Sequence, residues 1–382
     1  MSMERLRRFI AGPHETPYSV LDIGQVLTAH DRLRACLPAT VQFPVKAQPD
    51  PALLAALVRR GSDLDVASPR EVDLALAAGC PPERISWGNP IRTRAEIGYA
   101  HDRGVRTFVA DSPQEVRRLA EHAPGSTVVI RLAHDGSGSE WPLSGRFGCD
   151  AEQAAVLALD AAGRGLVPTG LTWHVGSQQG DPGQWDTALA TAAKVWVRAQ
   201  EGGLNLTLLN LGGGLPGTYR RPTPDVETYA EAIVTAVHRH FGPAGLPALT
   251  VEPGRGLVAD AGVTITRVKA VVTRPDGTTY VVTDAGLWNG GLVESLGGIE
   301  YRITALDHPA GAPTRAVTIC GPTCDSADQL SAREPYRLPR CLTAGDRLAI
   351  WSTGAYNSTL AATAFNGLPA LTQHVLPAGS TC

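Results

Sequence analysis

VQFPVKAQPDPALLAALVRRGSDLDVASPREVDLALAAG, residues 41–79, holds two copies of the unit from which the fold is built. The apolar run VQFPVKA (41–47) reads as a buried strand. PALLAALVRRG then sets apolar residues at i, i+3 and i+4 and ends on Gly61, as an amphipathic helix does. DLDVAS (63–68) starts the next strand, and PREVDLALAAG the next helix, which ends on Gly79. Ser68 offers the capping hydroxyl, Pro69 takes the first helical position, and Glu71 lies three residues after the serine. Ser112-Pro113-Gln114-Glu115 repeats that signature further along.

Working outward, the same alternation continues to Gly254. Further strands are expected at RISWGN (84–89), TFVAD (107–111), TVVIRL (127–132), GLTWHVGS (170–177), LTLLNLGG (206–213) and LTVEPG (249–254). Together with the first two, this makes eight β-α units, and near-continuous apolar strands imply a parallel sheet. The expected fold class is α/β, a TIM-type (β/α)8 barrel of ~250 residues. An open doubly wound sheet is the alternative, and the strand count favours the barrel. After about Ala261 the texture changes. ITRVKAVVTRPDGTTYVVTDAG reads as two strands joined at Pro275-Asp276-Gly277, and TRAVTICGP and DRLAIWSTG continue the β pattern. The expected organisation is a barrel over 26–260 and a mainly-β domain over 261–382, joined by residues 1–25, where TPYSVLDIG resembles an edge strand.

The chain has 382 residues, 43% hydrophobic and 19% charged, which is enough to bury a core without disulfides or a structural metal. A net charge of −3 with no basic run argues against nucleic acid as a partner. No apolar stretch reaches the ~20 residues of a membrane helix, and no secretory signal is visible. Seven scattered cysteines, among them Cys382, fit free thiols in a reducing cytoplasm, and no cysteine-histidine spacing suggests zinc, so no metal is expected. Only three residues are lysines, Lys46, Lys194 and Lys269, so amine chemistry has few candidates.

In such a barrel, catalytic groups sit at the C-terminal strand ends. Lys46, Asp65, Arg131, His174, Ser177, the glycines Gly212, Gly213 and Gly214, and Glu252, Gly254 and Arg255 all fall there. A strand-end lysine is ordinarily a solvated rim charge. Lys46, however, follows an apolar run, and near the barrel axis a buried amine would suit Schiff-base chemistry. His174 alone reads equally as a hydrogen-bonded core histidine, and Glu252 beside Arg255 as an ion pair. A glycine run leading to a helix can hold phosphate with its backbone N–H groups. Their convergence on one rim favours a site. In the β domain, Cys324 and Asp325 lie in ICGPTCDSADQL, and Tyr356 in STGAYNSTLAATAFNG. Cys324 is either a packing thiol or a proton donor.

With those residues in view, the chain resembles the fold-type III pyridoxal-phosphate decarboxylases, and among them the bacterial ornithine/lysine branch. The matching segments keep their order over about residues 15–372: FPVKAQPDP, GSDLDVASPREVDLALAAG, SGSEWPLSGRFGC, WHVGSQQGDP, LNLGGGLP, VEPGRGLVADAGV, CGPTCDSADQL and STGAYNSTLAATAFNG. The resemblance implies pyridoxal 5'-phosphate as cofactor, with Lys46 carrying it as an imine. Glu252 would keep the pyridine nitrogen protonated, Arg131 and Asp65 would brace that region, and His174 would stack on the ring. Ser177, Gly212–Gly214, Gly254, Arg255 and Tyr356 would hold the phosphate. It also implies a homodimer with shared sites, in which Cys324 from the neighbouring subunit protonates Cα and Asp325 meets the substrate's distal ammonium. Arg146 and Asp328 match a pair that bridges subunits.

The chain departs from the family pattern at Gly297 and Gly298, where relatives carry acidic residues, although Glu294 remains as a substrate-side carboxylate. The leading expectation is therefore decarboxylation of ornithine or lysine to a diamine. Diaminopimelate, arginine or a modified amino acid of a specialised pathway is the alternative substrate. A racemase would leave Cys324 and Asp325 without a role, and a non-catalytic regulatory paralogue would not need Lys46, Glu252 and Cys324 together.

Overall fold

The computed structural model describes residues 2–242, 245–362 and 364–379, so Cys382 lies outside the described residues. The chain divides into two compact units, Ala29–Pro216 with Thr223–Gly256, and Met1–Thr28 with Gly217–Pro222 and Leu257–Cys382.

The first unit is the expected closed barrel of eight strands. Its strands run Thr40–Pro44, Asp63–Val66, Ile85–Trp87, Thr107–Ala110, Thr127–Arg131, Val167–Thr172, Leu208–Asn210 and Ala248–Val251. Each pairs in parallel with the next, and Val251 opposite Val41 closes the ring. The strands are shorter than the apolar runs suggested. VQFPVKA leaves the sheet after Pro44 and turns through a single 3-10 turn, Val45–Ala47. GLTWHVGS ends as barrel strand at Thr172, and Ser177 opens a short strand, Ser177–Gln179, that pairs with Ser139–Trp141. In each case the buried apolar sequence continues past the last ladder bond, so composition alone does not mark the end.

The caps form as the sequence implies. Ser68 Oγ accepts from Glu71 N (3.3 Å) and Ser112 Oγ from Glu115 N (3.4 Å). The two glutamates then diverge. Glu71 accepts from Ala67 N, whereas Glu115 is buried and receives Arg92 Nη2 at 3.0 Å and Arg118 Nη1 at 2.9 Å. The Arg92 side chain is fully buried and also donates to the carbonyls of Trp87 and Val109, tying two neighbouring strands. Glu115→Ala would leave that guanidinium buried without its carboxylate. We expect it to lower unfolding free energy by about 3–5 kcal/mol, read from urea denaturation.

The second unit is mainly β. Its sheet runs in the order Ile303–Ala305, Arg347–Trp351, Gly262–Thr273, Thr279–Thr283, Thr314–Cys320 and Tyr336–Pro339. The strand Gly262–Thr273 shifts register between Val268 and Ala270. The N-terminal strand Tyr18–Asp22 is not an edge strand. It runs antiparallel to Gly262–Thr273 on one side and parallel to Thr372–Leu376 on the other. All five of its residues are buried, and Tyr18 and Val20 pack with Leu6, Ile10, Val263, Ile265 and Ala349. Among the described residues no helix is long and apolar enough to cross a membrane.

Candidate active site

The barrel strands deliver most of the expected residues to their C-terminal ends. Lys46 sits on the 3-10 turn just beyond Pro44, not in the strand, and its side chain is 51% exposed. The expectation of a buried amine near the barrel axis is therefore corrected: turning out of the sheet takes the side chain towards the open mouth. Its charge is met by Asp65, whose Oδ2 lies 3.1 Å from Lys46 Nζ. Asp65 is buried and its Oδ1 accepts from Gly88 N at 2.8 Å. A Cβ at Gly88 would fall 2.2 Å from that oxygen, so a bare backbone is required there.

Glu252 follows the strand Ala248–Val251, and its Oε1 accepts from Asn210 Nδ2 at 2.7 Å. Desolvation, reinforced by the negative charge of Asp65, pushes its carboxyl up to about 7. Lys46, Asn210 and Arg131 pull the other way. Arg131 ends its strand with the guanidinium 5.1 Å from the Phe147 ring centroid. His174 lies two residues past its strand, and its Nδ1 accepts from Gly176 N at 3.0 Å. That bond leaves the ring proton on Nε2. Burial, with Arg131 and Lys46 adding repulsion, drops the imidazole to about 3, so it is neutral across the working range.

Beside these groups lies a second cluster. Arg255 is buried and donates to Ser177 Oγ from Nε (3.2 Å) and Nη2 (3.0 Å). The loop Gly212–Gly214 crosses at close range. Gly212 has φ 67 and a Cβ there would meet Trp173 O at 1.8 Å, while one at Gly213 would meet His174 Nε2 at 2.8 Å. Asn210 Oδ1 accepts from Gly212 N (3.0 Å), and Trp185 Nε1 donates to Leu211 O (3.1 Å). Asn210 thus holds both Glu252 and the glycine loop. It is the residue that sequence reading missed, and its signal was a polar side chain in the apolar run just before three glycines.

The other expected residues lie in the second unit. Cys324 is exposed, and its N–H donates to Asn366 Oδ1 at 3.2 Å. That bond orients the amide, whose Nδ2 lies 3.4 Å from Cys324 Sγ. Asp325 Oδ1 accepts from Ala327 N (2.9 Å). Asp328 is buried and braces this same loop, with Oδ1 on Leu287 N (2.7 Å) and Oδ2 on Thr323 Oγ1 (2.7 Å). Tyr356 adopts φ 64, a left-handed conformation rare for a large side chain. Glu294 is buried in the short turn Val293–Gly297, which ends at Gly298 with φ 98.

The barrel residues fit pyridoxal phosphate chemically. They include a primary amine for the aldehyde, a carboxylate for the ring nitrogen and a neutral imidazole. A guanidinium, a hydroxyl and a side-chain-free glycine loop stand ready for a phosphate dianion.

Comparisons with known proteins agree. Residues 23–259 match the family model for the pyridoxal-dependent decarboxylase, pyridoxal binding domain. A lysine/ornithine decarboxylase of Selenomonas ruminantium is 31% identical over 356 residues, covering 92% of this chain and 87% of that protein. Ornithine decarboxylase 2 of Drosophila melanogaster is 31% identical over 334 residues, covering 85% and 82%. Among solved structures, SrLDC in complex with pyridoxal phosphate and cadaverine superposes with a TM-score of 0.87 at 28% identity, covering 98% of this chain and 93% of that one. A Vibrio vulnificus lysine/ornithine decarboxylase complexed with putrescine gives 0.85 at 27% identity, covering 98% of both chains. A barrel closed on parallel strands, a mouth lined by Lys46, Glu252 and Arg255, and this run of relatives lead to one conclusion: the chain belongs to the pyridoxal-dependent decarboxylases and is a carboxy-lyase with pyridoxal phosphate as cofactor.

Proposed function

We propose that this enzyme removes the α-carboxylate of a basic L-amino acid, ornithine or lysine, and releases the diamine. The observation that carries the reading is the Asp65–Lys46 pair at the same barrel mouth as the Asn210-held Glu252. It gives one amine and one proton-sharing carboxylate, the two groups that pyridoxal chemistry requires. The names of the relatives supply the substrate class. When bound, the cofactor withdraws electrons from the bond broken at Cα.

The chain's own residues do the rest. Lys46 would hold the cofactor by its aldehyde, and Asp65 orients the Lys46 ammonium when that amine is free. Glu252 holds a proton at the ring nitrogen, and Arg131 steadies the charge on both carboxylates. His174, being neutral, would face the cofactor without adding positive charge. Ser177, Gly212–Gly214, Gly254 and Arg255 would anchor the phosphate. Cys324 returns a proton to Cα. Asp325, with Glu294, faces the substrate's distal ammonium. One charge-assisted contact of about 1.5–3 kcal/mol favours a diamino acid over a neutral one roughly tenfold or more.

The direct test is CO2 release from ornithine, lysine, arginine, diaminobutyrate and diaminopimelate. We expect kcat/KM for ornithine or lysine to exceed that of the others by at least about tenfold, and a preference for diaminopimelate or arginine would replace the substrate assignment. We also propose a homodimer in which each site takes Cys324 from the neighbouring subunit. Cys324→Ala and Lys46→Ala homodimers should each be nearly inactive. Their equimolar mixture, after subunit exchange, should recover about a quarter of wild-type activity, because half the dimers then carry one intact site. No recovery in a mixture shown to contain heterodimers would place Cys324 and Lys46 in the same subunit's site.

A further inference from the structure

Three side chains of the β-rich unit form a relay unrelated to the reaction described above. Cys341 follows the strand Tyr336–Pro339 and is exposed. Its Sγ lies 3.3 Å from His308 Nδ1. On the opposite side of the ring, His308 Nε2 lies 2.8 Å from Asp346 Oδ2. Asp346 is itself fixed by Thr343, whose N–H donates to the same Oδ2 at 2.7 Å. Partial burial pushes the Asp346 carboxyl up, but the Thr343 N–H and His308 outweigh it and hold it below its ordinary value. It is therefore a carboxylate, which only accepts, so in the neutral ring Nε2 carries the proton and Nδ1, the acceptor, faces the thiol. The order carboxylate, imidazole, thiol is that of an activated cysteine nucleophile. It is not a metal site. Sγ and Oδ2 lie against opposite ring nitrogens and cannot converge on one ion, and among the described residues no cluster suits a metal.

We propose that Cys341 is a site of reversible thiol modification by low-molecular-weight disulfides, activated by His308 and Asp346. In the step, the Cys341 S–H proton passes to His308 Nδ1, and the thiolate attacks one sulfur of the small disulfide. A Cys341–sulfur bond forms as the disulfide's own S–S bond breaks. The departing thiolate takes the proton from His308, so Cys341 is oxidised and one small thiol is released reduced. A second small thiol reverses the exchange.

The experiment treats the holoenzyme with oxidised glutathione at pH 6.5 and follows each cysteine by peptide mass spectrometry. An unassisted thiol, with a pKa of about 8.5, is almost wholly protonated there. We expect the mixed disulfide at Cys341 to form at least about fivefold faster than in His308→Gln, because only the wild type holds a proton acceptor 3.3 Å from Sγ. A rate unchanged by that substitution would overturn the proposal. A second measurement needs no variant: Cys341 of the folded wild type should alkylate with iodoacetamide faster than the same residue in urea-unfolded chain at the same pH. An equal or slower rate would overturn the proposal as well. Both readouts are independent of decarboxylase turnover.

Discussion

Lys46→Ala should abolish turnover, by on the order of 10⁴-fold or more, and should remove the yellow colour of the purified enzyme. The size of the effect follows from how little can replace it. Of the three lysines in the chain, Lys194 lies within the helix Gln184–Glu201 and Lys269 within the strand Gly262–Thr273. Only Lys46 stands at the barrel mouth, half exposed and already paired with Asp65. Losing a covalent anchor also costs the effective concentration that positions the reacting group. Absorbance spectra with borohydride reduction and peptide mass spectrometry check the assignment. The pyridoxyl mass should sit on residue 46 in the wild type and be absent in the variant. Found elsewhere, it would end the assignment of Lys46.

Glu252→Gln should lower kcat by about 10²–10³-fold while leaving cofactor bound, since it removes a charge aimed at the ring nitrogen but keeps the shape of the side chain. It also carries a pH signature in the cofactor-free protein. An unfolded glutamate releases its proton near 4.3, whereas the folded Glu252 keeps it to about 7. Between those values the folded state binds the extra proton, so Glu252's contribution to stability falls as pH rises from about 4.3 through 7. Glutamine does not titrate. Melting temperatures of the cofactor-free wild type and variant should therefore diverge in favour of Glu252→Gln as pH goes from 5 to 8. Parallel pH profiles would show that the carboxyl is not desolvated in the folded chain. His174 adds a slope of the opposite sign: its unfolded imidazole releases a proton near 6.5 and the folded one near 3, so its contribution to stability rises with pH between those values, equally in wild type and variant, and cancels from the comparison.

Much of the barrel was legible because its code is local. Apolar runs, i, i+3, i+4 patterns and the Ser-Pro-x-Glu starts act within a dozen residues, and they placed eight strands and their helices in order. The same logic found Lys46, Glu252 and Arg255, since rare chemistry at a strand end must face the mouth. The pairings were harder to find, although Asp65 itself was expected at the rim and only Asn210 was missed. Asp65 is 19 residues from Lys46, and Asn210 is 42 from Glu252. Only parallel pairing of neighbouring barrel strands brings them together.

By itself, the sequence determined that the chain makes a parallel β/α ring followed by β structure, and which side chains the ring carries at its rim, because short-range periodicity encodes both. Tertiary structure alone decided that Lys46 turns outward on a 3-10 turn, that Tyr18–Asp22 lies between two strands, and that His308, Cys341 and Asp346 align. The last two depend on how segments far apart in the chain meet, and a strand's own residues do not specify which distant neighbour will satisfy its backbone.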